Sequence, residues 1–538
     1  MSPKVAIAQI NSTVGDIEGN CMRIADFSRR AAALGADIVV TPELSLTGYP
    51  PKDLLLNRNF YESTIAALTA LASDLADIPG LHVLVGHHLV TGIERYNACS
   101  ILSGGKIVDT YCKASLPNHS VFDEKRYFTP GKQPVVFTVK GTSFGINLSE
   151  DVWSEKAPAR AKQAGARVLL VPGASPYNMN KLSERYDILR ENVSTQGMAV
   201  IYANLVGGQD ELVFDGNSFA LDHAGRLCTH LHHCEEDMEI LAFERKKLQP
   251  ARQEKIFSTE EAVYRALVLG TRDYVEKNGF PGIILGLSGG VDSALVLAIA
   301  VDAIGRERTR AVMMPSPYTT DISIIDAGKM AAHLNILYDV IPINDCFTTF
   351  LNTLSYQFAG LPEDATEENI QARIRGTILM ALSNKTGSIV LTTGNKSELA
   401  VGYSTLYGDM AGGFSVIRDI PKTLVYGLCH YRNSISDFIP DRILTREPSA
   451  ELRHNQRDQD SLPPYEILDA IVQMFMEEEK SLTEIIAAGH DPEVVEQVLF
   501  LIRKNEYKRR QAAVGIRITP RGFGRDWQHP ITSRYRDR

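Results

Sequence analysis

Residues 282–293 read GIILGLSGGVDS, and ALVLAIAVDAIG continues to Gly305. The first apolar run is too short for a helix and reads as a buried strand; the second reads as an apolar helix. Between them lies a turn with two adjacent glycines. A turn of this kind exposes backbone N–H groups at the positive end of the following helix, where phosphate oxygens bind. No Gly-Lys-Ser/Thr follows, so this is not a Walker A loop, and it lacks the lysine and the magnesium-binding hydroxyl that suit γ-phosphoryl transfer. A wide nest with the Ser288 and Ser293 hydroxyls is better matched to holding pyrophosphate while the α-phosphate is attacked. Gly286, Leu287, Ser288, Gly289, Gly290, Val291, Asp292 and Ser293 are therefore candidate ATP-binding residues, and the Asp292 carboxylate a candidate magnesium ligand. Alone, Ser-Gly-Gly is equally an ordinary Gly-rich turn ahead of a helix; the strand-turn-helix context favours the phosphate.

Working outward, a helical stretch from Thr259 to Lys277 precedes this strand, and RAVMMP, ILYDVIPI and SIVLTTGN follow as further strands separated by helices. Such alternation predicts a doubly wound, mainly parallel sheet. The first half also alternates: VAIAQI, ADIVVTPEL, HVLVGHHL, SILSGGKIVDTY, TSFGINL, RVLLVPGAS and AVIYANLVGG read as strands of a second α/β domain, and VFDGNSFALDHAGRL as a strand pair. The charged run ERKKLQPARQE, Glu244 to Glu254, reads as a linker. The expected domains are 1–252 and 253–538.

A chain of 538 residues exceeds one ordinary core, which agrees with two domains. Hydrophobic residues make up 44% and charged residues 22%, the balance of a globular protein. A net charge of -9 provides no general field for nucleic acid. The basic run RKNEYKRRQ, Arg503 to Gln511, is short and lacks interleaved stacking aromatics, so nucleic acid is not an expected partner. Seven cysteines occur without a CxxC pair, as in a reduced cytosolic protein. The start, MSPKVAIAQINSTVG, lacks the apolar region of a secretory signal, and no apolar run approaches the roughly 20 residues of a membrane span. A cytoplasmic location without membrane partners is expected.

The loop GLSGGVDS resembles the pyrophosphate loop of the N-type ATP pyrophosphatases, the adenine nucleotide α-hydrolase-like fold that includes NAD synthetase, GMP synthetase and argininosuccinate synthetase. Within that group, ENIQARIRG (368–376) and TTGNKSELAVGYSTLYGDMAGGFSVIRDIPKTLVYGL (392–428) resemble NAD synthetase. The resemblance implies that Thr393 and Lys422 contact ATP, that Glu398 joins Asp292 at magnesium and also faces the substrate, and that Asn369, Arg373, Asp409 and Lys508 contact deamido-NAD. It also implies a homo-oligomer with paired synthetase domains. The chemistry is coherent with this. A carboxylate is a poor acyl donor until adenylylated, the charge then builds on phosphates, and Asp292, Glu398 and Lys422 supply metal and cation where it develops.

In the first half, TPELSLTGYPPKDLL, YCKASLPNHSVFDEKRYF and FGINLSEDVW resemble the nitrilase and amidase family, an αββα sandwich in which glutamate, lysine and cysteine meet at strand ends. Glu43 and Lys113 match the first two positions, and Ser149 stands where the family pattern has cysteine. With ASPYNMNK following, the match extends to the glutaminase domain of glutamine-dependent NAD synthetases, and Ser175 and Lys181 fall on glutamine-binding positions. His119, in a run where tyrosine is common, is a second departure. In the family's chemistry Glu43 is the general base, Lys113 stabilises the oxyanion, and the third residue forms the acyl-enzyme. A cysteine beside lysine can be an appreciable thiolate, whereas a serine hydroxyl stays almost wholly protonated, so glutamine turnover is expected to be badly impaired. Two readings stay open: a replacement that holds substrate without turning it over, or a chain that draws on free ammonia. The expected reaction is then deamido-NAD, ATP and glutamine or ammonia to NAD, AMP and diphosphate. Another amidotransferase with the same loop, or an amidase-like scaffold without activity, are the alternatives.

Overall fold

The computed structural model describes residues 2–245 and 247–535, with the backbone alone for 193–195. The chain forms two compact units, Met1–Phe257 and Ser258–Arg538. The segment expected as a linker belongs to the first of them. Its residues Lys247–Leu248 pair with a preceding strand, and Arg252 bonds Asp237 at 2.7 Å and Glu239 at 3.0 Å. Charged side chains here satisfy one another across a hairpin, which composition alone reads as solvated chain.

In the first unit the strands are β1 (Lys4–Gln9), β2 (Ile38–Val40), β3 (His82–Thr91), β4 (Glu94–Ser103), β5 (Lys106–Cys112), β6 (Val136–Val139), β7 (Thr142–Ile146), β8 (Val168–Gly173), β9 (Ala199–Asn204), β10 (Val206–Gln209), β11 (Leu212–Asp215), β12 (Phe219–Leu221), β13 (Leu227–His230), β14 (Asp237–Glu244) and β15 (Lys247–Leu248). One sheet has the order β15-β14-β1-β2-β3-β4-β5 and the other β13-β12-β9-β8-β7-β6, with β10 and β11 as a separate ribbon. The run SILSGGKIVDTY is a hairpin rather than one strand, because Gly104 and Gly105 adopt φ of 56° and 79° and turn the chain between β4 and β5.

The helices are α1 (Ile17–Ala33) and α2 (Arg58–Asp74) against one sheet, and α3 (Lys156–Gln163) and α4 (Lys181–Gln196) against the other. Period-two alternation explains the layering. Val5 and Ile7 of β1 face the other sheet's Ile146, Leu170 and Ile201, while Ala6 and Ala8 face Ile24 and Phe27 of α1 and Leu68 of α2. The outer face of the second sheet packs Leu169 and Val200 on Ala161 and Leu189. The unit is thus an αββα sandwich whose sheets are buried on both faces, the reason its strands read as nearly continuous apolar runs.

The second unit holds α5 (Thr259–Lys277), β16 (Ile283–Gly286), α6 (Val291–Ile304), β17 (Thr309–Met313), α7 (Asp321–Leu334), β18 (Leu337–Val340), α8 (Asn344–Leu354), α9 (Ala365–Thr386), β19 (Ile389–Thr392), α10 (Lys396–Val401), β20 (Phe414–Ser415) and α11 (Lys422–Ile435). All pairings in the sheet β18-β17-β16-β19-β20 are parallel. From β16 the chain winds one way to β18 and then crosses to β19 on the other side. That reversal opens a crevice at the carboxyl ends of β16 and β19, where open α/β sheets bind ligands. Among the described residues no helix is long and apolar enough to cross a membrane.

Ile146 lies wholly inside the layer between the two sheets of the first unit. Ile146→Ala should cost about 2–5 kcal/mol, measurable as a lower denaturant midpoint.

Candidate functional sites

In the first unit Glu43 follows β2 in a tight turn. Leu44 takes φ 47°, and a Cβ on Gly86 of β3 would stand 2.4 Å from the Leu44 nitrogen. Only glycine therefore lets β3 pass beneath this turn. Lys113 follows β5, fully buried, and its Nζ donates to Glu43 Oε1 at 2.7 Å and to Glu124 Oε1 at 2.8 Å. Asn97 Nδ2 donates to the same Glu43 oxygen at 2.7 Å, and the Tyr49 hydroxyl to Glu124 at 3.0 Å. Burial works against the Lys113 charge, but Glu124 and Glu43 together outweigh it and raise its pKa. Two carboxylates share one ammonium. Burial raises Glu124 to about 7 against the pull of Lys113, and the Glu43 charge adds to the rise.

Ser149 begins a short 3-10 turn, Ser149–Trp153, with φ 40°, a conformation that strains a side-chain-bearing residue. Its Oγ accepts from the Ala174 amide at 3.4 Å, and the Glu43 amide donates to the adjoining Gly173 carbonyl at 3.4 Å. The end of β8 thereby draws the turns bearing Glu43 and Ser149 together. Asp151 anchors the Ser149 turn, accepting from the Leu148 amide at 3.0 Å, the Ser115 amide at 2.7 Å and the Tyr111 hydroxyl at 2.8 Å. Ser175 is buried, and Arg185 Nε donates to its hydroxyl at 3.1 Å; Arg185 is paired in turn with fully buried Asp215 at 2.8 Å. Lys181 lies 4.0 Å over the Trp153 ring and 2.9 Å from Glu184. His119 is exposed, its ring 5.9 Å from that of Phe122 in a T-shaped contact.

Sequence reasoning missed Glu124. It sits in the run FDEKR, which has the composition of a solvated surface, and only the tertiary fold turns it inward to Lys113.

In the second unit the loop after β16 bends at Gly289, φ 83°, where a Cβ would stand 2.5 Å from the Ser323 carbonyl oxygen. The Ser288 and Ser293 hydroxyls bond each other at 3.0 Å, and Ser288 Oγ accepts from the Gly290 amide at 3.2 Å. No side chain caps the N-terminus of α6, so the helix presents its first amides to an anion.

Asp292, in the first turn of α6, accepts from Lys422 Nζ and, at 2.9 Å, from Asn395 Nδ2. Lys422 Nζ also reaches Glu398 at 3.4 Å. Asn395 and Glu398 cap α10 reciprocally: the Glu398 amide donates to Asn395 Oδ1 at 2.9 Å, and the Asn395 amide to Glu398 Oε2 at 3.3 Å. Burial raises Glu398 to about 8, opposed by Lys422 and reinforced by Asp292. Burial disfavours the Lys422 charge, but Asp292 and Glu398 more than offset this and raise its pKa. Thr393, half-buried, follows β19.

The remaining expected residues converge on the loop 402–409. The Thr405 hydroxyl donates to Asn369 at 2.7 Å and the Thr405 amide to Asp409 at 2.6 Å. Arg373 Nε donates to the Leu406 carbonyl at 3.2 Å, and Lys508 Nζ to the carbonyls of Gly402 at 2.8 Å and Ser404 at 2.7 Å. Burial raises Asp409 to about 6. Glu398 and Asp409 line one cavity with Thr392, Gly394 and Ser415. Within the basic run 503–511, Arg509 is buried instead of facing a ligand. It bonds Glu506 at 2.9 Å and the Ala400 carbonyl at 2.6 Å, holding the end of α10.

A nitrilase-like sandwich with a buried Glu-Lys pair, and an ATP-pyrophosphatase-like sheet with a cation-bridged carboxylate pair at its switch point, define a two-domain amide-forming ligase. Residues 4–253 match the carbon-nitrogen hydrolase family and residues 263–512 the NAD synthase family. The glutamine-dependent NAD(+) synthetase of Acinetobacter baylyi is 46% identical, over 99% of this chain and 99% of that protein, and that of Thermotoga maritima 42%, over the same shares. The structure of glutamine-dependent NAD+ synthetase from Acinetobacter baumannii with adenosine diphosphate superposes with a TM-score of 0.80 at 43% identity, covering 99% of this chain and 98% of that one. One from Cytophaga hutchinsonii, 21% identical, shares the fold with a TM-score of 0.85. The chain belongs to the family of glutamine-dependent NAD(+) synthetases.

The Glu124 carboxyl holds its proton more tightly folded, at about 7, than at its ordinary 4.5. Its contribution to stability is therefore full below the lower value and is lost as pH rises through the upper one. Glu124→Gln should flatten the fall in thermal midpoint across that window relative to the parent chain.

Proposed function

We propose that the second unit adenylylates the carboxylate of deamido-NAD with ATP and then amidates it, releasing NAD, AMP and diphosphate. The observation that carries this is the bridging of Asp292 and Glu398 by Lys422 beside an uncapped helix N-terminus, in a chain related over its whole length to glutamine-dependent NAD(+) synthetases. A carboxylate oxygen of the substrate attacks the α-phosphorus, the bond to the β-phosphate oxygen breaks, and its electron pair leaves with diphosphate. The loop 286–293 and α6 hold the phosphates. Ammonia then attacks the acyl carbon, the bond to AMP breaks, and the nitrogen releases one proton. Asn369, Arg373, Asp409 and Lys508, gathered on the loop 402–409, bind and orient the dinucleotide, and Thr393 and Lys422 act on ATP.

Two carboxylates set against one ammonium leave a surplus of acceptor oxygens at Asp292 and Glu398, and hard oxygens of this kind fit magnesium. Bound there, magnesium would supply Lewis-acid neutralisation of the phosphate charge. The same surplus makes Lys422 the cation that keeps both carboxylates in place.

For the first unit we propose the glutaminase arrangement, with Glu43 as general base, Lys113 at the oxyanion, Ser149 at the nucleophile position, and His119, Ser175 and Lys181 toward glutamine. A serine hydroxyl without a strongly positioned base is a weak nucleophile. Free ammonia is therefore the nitrogen source this chain uses efficiently, in the cytoplasm and as a homo-oligomer.

Ammonium chloride with deamido-NAD and Mg-ATP should yield NAD, followed by chromatography, while glutamine yields little. Ser149→Cys should restore glutamine-dependent synthesis; an unchanged rate would make the first unit a scaffold. Asp292→Ala should lower ammonia-dependent synthesis by about a hundredfold or more, and a normal rate would defeat the adenylylation reading.

A further inference from the structure

Leu379 Cδ1 and Met314 Cε stand 3.5 and 3.4 Å from where a Cβ on Gly286 would fall, so one face of α9 is turned toward the strand end that opens the phosphate loop. Arg375 occupies the same face one turn earlier, at the i, i+4 spacing. Because α9 runs back to the start of β19, its earlier half stands toward the carboxyl edge of the parallel sheet, where ligands enter. Arg375 Nε donates to the Met314 carbonyl at 3.0 Å, just past the end of β17. That bond fixes one edge of the guanidinium. Among the described residues no carboxylate lies within ion-pair distance of the other edge. Among the described residues the carboxylate that pulls on Arg375 is that of Glu451, which Arg446 and the Ser323 and Thr320 hydroxyls already hold. Burial lowers Arg375 to about 10 against the pull of Glu451.

A half-buried guanidinium held at the Met314 carbonyl without a counter-ion is costly, and an arriving anion relieves that cost. The phosphate loop carries no lysine, and Lys422, the one cation so far assigned to ATP, is shared with two carboxylates. We propose that Arg375 is a binding residue for ATP, its free edge pairing with a phosphate oxygen of the nucleotide. This deepens the proposed function and rests on its placement of ATP at the loop 286–293. An arginine suits the task because it stays charged when buried and presents paired N–H donors to oxyanions.

The test uses the full chain with Arg375→Met and Arg375→Lys, titrating Mg-ATP and, separately, deamido-NAD by calorimetry, with thermal unfolding of each variant in the absence of ligand. Arg375→Met should raise the Kd for Mg-ATP at least tenfold and leave that for deamido-NAD within twofold. Its unliganded midpoint should equal or exceed the parent's, since a half-buried charge without a counter-ion has been removed; Arg375→Lys should recover part of the affinity. A purely structural arginine would instead lower the midpoint. The proposal is overturned by an unchanged Kd for Mg-ATP, by deamido-NAD affinity falling as far as that for ATP, or by both variants losing stability. Binding is read without turnover, so a parent chain that binds Mg-ATP yet makes no NAD would defeat the proposed reaction while leaving this assignment standing.

Discussion

A buried ammonium shared between two carboxylates organises each of the two centres. In the first unit Lys113 joins Glu43 and Glu124, and in the second Lys422 joins Asp292 and Glu398. An isolated charge at such depth would cost several kcal/mol, so each lysine is held where its partners are, and each partner is held by its own turn. Lys422 ties the start of α11 to the first turns of α6 and α10. Lys113 ties the end of β5 to the turn after β2 and to the loop carrying Glu124. Elements distant in the chain are drawn together by this pairing.

The charge count has a chemical consequence. Burial, reinforced by the neighbouring carboxylate, pushes one carboxyl in each centre upward against the pull of its lysine, Glu124 toward 7 and Glu398 toward 8. Each centre thus holds one carboxyl that keeps its proton to a higher pH than an exposed one does. Arg375 is the opposite case, a cation without a partner, on the helix that faces the phosphate loop. In the proposed reaction these two features would meet a nucleotide from opposite sides, the carboxylates toward its cation and the guanidinium toward a phosphate oxygen.

Much of this was legible in the residues. The strand-turn-helix at 282–305 and the parallel sheet around it follow from local apolar pattern and glycine chemistry, because β16 and α6 are buried on nearly all sides and their runs are short and unbroken. The αββα sandwich was readable for the same reason, as β1, β8 and β9 are buried on both faces. The segment 244–254 was misread because charged side chains paired across a hairpin have the composition of a linker. Arg509 was grouped with a basic face because nothing local distinguishes a buried arginine bonded to Glu506 from a solvated one.

The sequence by itself determined the two α/β units and the strand-turn-helix at 282–305, which local apolar pattern and glycine chemistry mark, while Glu43, Lys113, Ser149 and Glu398 stood out only through resemblance to known families. Only the tertiary structure decided that Glu124 faces Lys113, that Asn395 holds Asp292, that Arg185 backs Ser175, and that Arg375 is left without a counter-ion. Asn395 and Asp292 stand 103 positions apart, and for Arg185, Glu124 and Arg375 the matter turns on which side of a segment faces inward. Burial and pairing are set by packing between elements, and no local periodicity encodes them.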